Sequence, residues 1–231
     1  MNPERIRRWA AEAAGTALLV GIGTGAIVAA GRIGGIASWA LALAWFLAVL
    51  VPIGIFVGIS GAHLNPAVTL ALAASDRIAW RLVPGYWAAQ LVGAFLGSLG
   101  VLATVGAGSD LGATVPRAGE LPLAFGGEAG FTALLVVAVF TLSDRGAGRL
   151  RWRLLLPPAA VGVSTYVIGP ITGSSLNPAR TIAPAVLSGT YLDLWLYLIA
   201  VPLGALVVAA LWRPRAVDRL DRGPGRLDVR Q

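Results

Sequence analysis

Gly61-Ala62-His63-Leu64-Asn65-Pro66-Ala67-Val68 decides the fold, because the chain writes it a second time as Gly173-Ser174-Ser175-Leu176-Asn177-Pro178-Ala179-Arg180. Both copies read Gly-x-x-Leu-Asn-Pro-Ala, and Asn65 and Asn177 stand 112 positions apart in a chain of 231 residues. A single Asn-Pro is a common turn or helix start, whereas two in matching context mark an internal repeat. Asn is a preferred N-cap and Pro suits the first helical position, so each copy predicts a helix start. The apolar segments that follow, Pro66 to Ala74 and Pro178 to Leu187, hold 9 and 10 residues. At a rise of about 1.5 Å per residue each reaches roughly 15 Å, half of a ~30 Å hydrocarbon core. Placed end to end they make one crossing.

Composition puts the rest of the chain in the membrane. It is 57% hydrophobic and 13% charged, about half the charge of a typical soluble domain. Six apolar runs suit a crossing: Trp9 to Ala30, Ile36 to Ile59, Leu82 to Val105, Leu121 to Leu142, Leu150 to Ile168 and Leu192 to Trp212. The first is too long for a secretory signal and holds Glu12, so it reads as a helix. The predicted organisation is a polar arm over 1–8, a membrane-spanning domain over 9–212 with repeats at about 9–105 and 121–212, and a disordered Arg-rich tail over 213–231. Three crossings per repeat is an odd number, which gives the halves opposite topology, an inverted repeat. The expected fold is therefore all-α: six transmembrane helices and two half-helices that enter from opposite sides and meet near the midplane. Glu12 with Thr16 against Glu128 with Thr132, and Gln90 to Ala94 against Val201 to Ala205, repeat the same correspondence.

All 18 basic residues are arginine, and the net charge is +7. Fifteen fall on the side of the termini and three (Arg32, Arg117, Arg180) opposite, which predicts both termini in the cytoplasm and the plasma or inner membrane as location. Because the arginines flank apolar runs and no soluble basic domain is left over, a nucleic-acid partner is excluded. Without cysteine and with His63 as the one histidine, the chain is expected to hold no metal or cofactor, and it offers no nucleophile–base pair for an enzyme.

Caps on facing half-helices bring two positive dipole ends together. With each Asn oxygen held by its own helix, the amides of Asn65 and Asn177 are expected to point inward as donors, which suits a neutral hydroxylic solute and repels cations. The turns at Gly61, Ala62, His63 and Leu64, and at Gly173, Ser174, Ser175 and Leu176, must line a cavity or be covered. Their carbonyls would form a ladder of acceptors. His63 reads as a brace for its loop, with proton sensing as the alternative. Arg180, in the first turn of the second half-helix, reads as a donor and a positive barrier. Glu12 and Glu128 read as scaffolding that accepts loop N–H groups, with proton coupling as the alternative. The pairs Gly54/Gly58 and Gly93/Gly97 have the spacing of close helix packing.

Glu12, Ser60 to Thr69, Glu128 and Leu176 to Arg180 together resemble the aquaporin and aquaglyceroporin (major intrinsic protein) family over roughly Trp9 to Trp212. The resemblance implies a six-helix bundle with two half-helices, a pore through each subunit and a homotetramer. It also implies a selectivity ring, which by counting from the motifs falls on Trp45, Thr165, Ser174 and Arg180. Trp45 is similar to the glycerol-conducting branch, while Asn177 to Ala185, with Thr181 after the Arg, is similar to nodulin-like intrinsic proteins and their bacterial relatives. A small Thr165 and Ser174 imply a constriction wider than a water-only pore, and Trp45 an apolar face for a carbon backbone. The function implied is passive conduction of water and small uncharged solutes, glycerol first, with exclusion of protons and ions. The alternatives are a channel mainly for arsenite-like metalloid acids and an inverted-repeat secondary transporter.

Overall fold

The computed structural model describes residues 2–143 and 151–212, and within them every regular element is helical. The arginines at 145 and 149 and the tail from 213 lie outside the described residues. In chain order the helices are α1 (Pro3–Arg32), α2 (Ser38–Ser60), α3 (Pro66–Ala74), α4 (Val83–Thr104), α5 (Leu121–Ser143), α6 (Leu156–Thr172), α7 (Pro178–Ser188) and α8 (Leu194–Leu211).

Local chemistry explains most boundaries. The α1 helix starts well before the apolar run because Asn2 accepts the Glu4 N–H at 2.9 Å and Pro3 occupies the first turn. Arg8 and Glu4 then pair one turn apart at 3.4 Å, so the expected polar arm forms the first turns of the helix. The α6 helix starts later than the apolar run at Leu150. Residues Arg151–Leu155 form a 3-10 turn, and the helix proper opens with Pro157 and Pro158 in its first turn, where the missing N–H groups cost nothing. Its 17 residues reach roughly 25 Å, short of the five longer helices that suit a crossing by length and hydropathy.

Contacts fall in pairs related by the repeat. The α1 helix packs on α2 and α4 as α5 packs on α6 and α8; α3 leans on α8 as α7 leans on α4. The α2–α6 and α3–α7 contacts join like elements across the pseudo-twofold axis. The two half-helices thus fill one crossing inside a ring of six helices, the inverted repeat that the sequence predicts. Two equivalent glycines set the closest approaches: a β carbon on Gly93 would stand 2.2 Å from the Ala13 carbonyl, and one on Gly204 2.0 Å from the Ala129 carbonyl. Gly97 is similarly pressed on Ala17. A β carbon on Gly54 or Gly58 would meet nothing within 4 Å among the described residues, so that pair does not serve packing between them; small-residue spacing fixes a helix face without saying where it points.

The outer faces of the helices carry exposed Leu47, Val51, Ile55, Leu96, Val163, Leu203 and Val207, the apolar exterior of a multi-pass membrane protein. Exposed Trp39, Tyr191 and Trp195 mark one end of the bundle, and Trp80, Trp152 and Trp212 the other, as aromatic belts do. At that second end the Arg77 guanidinium lies 3.9 Å from the Phe140 ring, and Phe140 meets Trp212 edge-on at 6.2 Å. This stack joins the loop after α3 to α5 and to the end of α8.

Candidate pore and half-helix junction

Each half-helix is capped as its sequence predicts. Asn65 Oδ1 accepts the Ala67 N–H at 2.9 Å, and Asn177 Oδ1 accepts those of Ala179 at 3.0 Å and Arg180 at 3.4 Å, both from extended backbone. Contrary to the expectation from the sequence, the amides are not wholly free. Asn65 Nδ2 donates to the Leu176 carbonyl at 2.6 Å and Asn177 Nδ2 to the Leu64 carbonyl at 2.8 Å. An amide has two protons, so each Asn spends one on the opposite loop and keeps one. The same bonds occupy the last rung of each expected acceptor ladder.

The turns before the caps run through left-handed backbone in the same places. Gly61, Ala62 and Leu64 have φ of +88°, +47° and +54°; Gly173, Ser174 and Leu176 have +73°, +50° and +52°. For non-glycine residues this region costs roughly 1–2 kcal/mol each, so something must hold the loops. The carboxylates do. Glu12 accepts the N–H groups of His63 at 2.9 Å and Leu64 at 2.7 Å, the Ser60 hydroxyl at 2.6 Å and the Gln90 amide at 2.8 Å. Glu128 accepts those of Ser175 at 2.8 Å and Leu176 at 2.9 Å. Both are fully buried.

Further symmetric braces escape a reading of the motifs alone. The Tyr86 hydroxyl donates to the Ser60 carbonyl at 2.7 Å, and that of Tyr197 to the Thr172 carbonyl at 2.6 Å. The Ser60 hydroxyl accepts the Ala62 N–H at 3.1 Å as that of Thr172 accepts the Ser174 N–H at 2.9 Å. His63 Nδ1 lies 3.2 Å from the Thr69 hydroxyl and its ring stacks on Tyr86 at 4.7 Å. In the second repeat the corresponding contact joins Ser175 and Thr181 through their hydroxyls. Tyr86 and Tyr197 are 111 positions apart, the shift that also relates Gln90 to Val201, so extending that comparison by one helical turn finds them.

Around the junction lies a cavity of about 50 Å³ whose wall includes Trp45, Val161, His63, Asn65, Asn177 and Arg180. At roughly 10–15 Å³ per occupied position this is room for a few water molecules. Arg180 is 1% exposed. Its Nη1 donates to the Gly112 carbonyl at 2.6 Å, and its guanidinium lies 4.6 Å from the Trp45 ring. Its Nε and Nη2 find no hydrogen-bond partner among the described residues. The Gly112 carbonyl is set by a left-handed turn in which Ser109, Asp110 and Leu111 have φ of +43°, +49° and +52°, a loop that no periodicity announces. Trp45 packs so closely on α1 that a β carbon on Gly23 would come within 2.5 Å of its ring.

The other two ring positions are buried but stand off this wall. The Thr165 hydroxyl donates to its own helix at the Val161 carbonyl, 2.9 Å, and Ser174 pairs with Ser164 at 2.8 Å. Thr165 lies two turns beyond Pro157 and one beyond Val161, both on the wall, hence on the same helix face. Among the described residues no group of three or more His, Asp or Glu side chains is placed to hold a metal ion.

Comparison with known proteins agrees with this architecture. The chain is 38% identical over 215 residues to aquaporin NIP1-3 of Oryza sativa subsp. japonica, covering 92% of this chain and 74% of that protein. It is 33% identical over 226 residues to aquaporin NIP6-1 of Arabidopsis thaliana, covering 96% and 73%. The X-ray structure of the aquaglyceroporin from Plasmodium falciparum superposes with a TM-score of 0.79 at 27% identity, covering 94% of this chain and 98% of that one. Residues 1–212 match the family described as Major intrinsic protein, and the chain belongs to that family.

Proposed function

We propose that the chain is a passive channel for water and small uncharged solutes, glycerol foremost, and not an enzyme. The observation that carries this reading is the junction itself: two capped half-helices face one another, and each Asn keeps one amide proton toward a cavity of water dimensions. A solute crosses by exchanging hydrogen bonds between those protons and the carbonyls of Gly61, Ala62, His63, Gly173, Ser174 and Ser175. The carboxylate N–H bonds turn the donors of His63, Leu64, Ser175 and Leu176 away toward Glu12 and Glu128, which leaves acceptors for the path. Arg180, with two donor nitrogens that find no hydrogen-bond partner among the described residues, meets the solute at the second constriction and repels cations. Trp45 offers the apolar face, and the small Thr165 and Ser174 leave width for a carbon chain.

An inverted-repeat transporter needs ionisable coupling groups at the substrate site. Here both buried carboxylates are engaged by loop N–H groups and lie off the cavity wall, which favours a channel. Arginine placement supports cytoplasmic termini in a plasma or inner membrane, and the family resemblance supports a homotetramer, which a mass measurement in detergent checks. Proteoliposomes loaded with buffer test the function. On mixing with glycerol they are expected to shrink and then reswell, and with sucrose only to shrink; no reswelling above that of empty vesicles would refute glycerol conduction.

A further inference from the structure

A second recess, of about 560 Å³, lies on the outside of the bundle in the seam between α1 and α4, against Ala14, Leu18 and Gly21 on one side and Gly97, Gly100 and Val105 on the other. Three of these six residues are glycine, and a β carbon on Gly100 would meet nothing within 4 Å. The helices touch at the floor of the seam, through Gly93 on Ala13 and Gly97 on Ala17. The recess is therefore a wedge that narrows to backbone contact at its floor and opens outward toward lipid. From Gly97 to Val105 its length is about 12 Å, close to one leaflet of a ~30 Å core. Left empty in hydrocarbon, its lining would lose dispersion contacts.

The mouth of the wedge is not apolar. Arg32 lies eighteen residues beyond Ala14, five helical turns on, hence on the same stripe of α1. It is exposed, and its Nη2 stands beside Gly106, 2.3 Å from where a β carbon would be, immediately past Val105. An apolar wedge one leaflet deep thus ends at a guanidinium, whose planar fork suits a phosphate. We propose that this seam is a phospholipid site in the leaflet opposite the termini, with one acyl chain in the wedge and the phosphate on Arg32.

Native mass spectrometry of the full chain with added phosphatidylglycerol, and with diacylglycerol as the phosphate-free probe, tests this. The wild type is expected to retain one phosphatidylglycerol per subunit more than the variants and to hold diacylglycerol weakly. Arg32→Gln, which removes the fork, and Gly100→Leu, which fills open space, are each expected to weaken retention about tenfold. Water flux through both variants is expected to match the wild type, which shows that they are folded. Equal retention by wild type and variants would overturn the proposal. So would Gly100→Leu changing the subunit stoichiometry with lipid retention intact, because protein and not lipid would then cover the seam.

Discussion

Glu128→Ala isolates the link between a buried carboxylate and the pore. The substitution leaves the Ser175 and Leu176 N–H groups, bonded at 2.8 and 2.9 Å, without an acceptor. Each orphaned buried donor costs about 1–3 kcal/mol, so the loop loses roughly 2–6 kcal/mol. It can relieve this by abandoning the left-handed backbone of Ser174 and Leu176, but the Leu176 carbonyl also accepts the Asn65 amide. Relaxation therefore breaks the cross-junction bond, and stability and water permeability fall together. Glu128→Gln keeps one acceptor oxygen and turns an NH2 group on the second N–H, so it should lose about half as much. Thermal unfolding in detergent reads the first effect; at about 2–4 °C per kcal/mol for a chain of this size, the alanine variant should melt at least about 4 °C below wild type. Stopped-flow light scattering on proteoliposomes reads the second. A variant with wild-type melting and wild-type water flux would refute the idea that the carboxylate holds the loop.

Gly93→Ala and Gly204→Ala should each destabilise the fold by about 1–3 kcal/mol, since the new β carbons meet backbone carbonyls at 2.2 and 2.0 Å, whereas Gly54→Ala, in open space, should leave the isolated subunit's stability unchanged; thermal unfolding of the three separates them. Thr165→His should reduce glycerol flux more than water flux in the same vesicles, and an equal reduction would remove Thr165 from the ring. Arg180→Val takes a buried cation from the cavity wall, so proton leak measured with an entrapped pH dye should rise, and no change would remove Arg180 from charge exclusion.

The parts of the fold that depend on neighbouring residues were legible. Asn65 and Pro66 fix the start of α3 within one turn, and the helix ends at Ala74 as the apolar run does. The repeat itself followed from matching motifs at a constant shift. What the sequence could not disclose depends on residues far apart: the reciprocal Asn65–Leu176 and Asn177–Leu64 bonds span 111 and 113 positions, and nothing in Ser109 to Gly112 predicts that its left-handed turn aims a carbonyl at Arg180. Hydropathy alone places the start of α6 too early, at Leu150, whereas the Pro157-Pro158 pair is the helix-start signal that the structure follows. The spacing of Gly54 and Gly58 suggests a packing contact, but spacing is blind to which side of a helix faces the bundle.

Passive movement of solute past the two asparagines sets a channel apart from a transporter. Stopped-flow permeability of proteoliposomes, taken over a range of glycerol concentrations and temperatures with and without proton and sodium gradients, tests it most directly. A channel gives flux proportional to concentration, a low activation energy and no response to either gradient. Saturable flux that follows a proton or sodium gradient would contradict it.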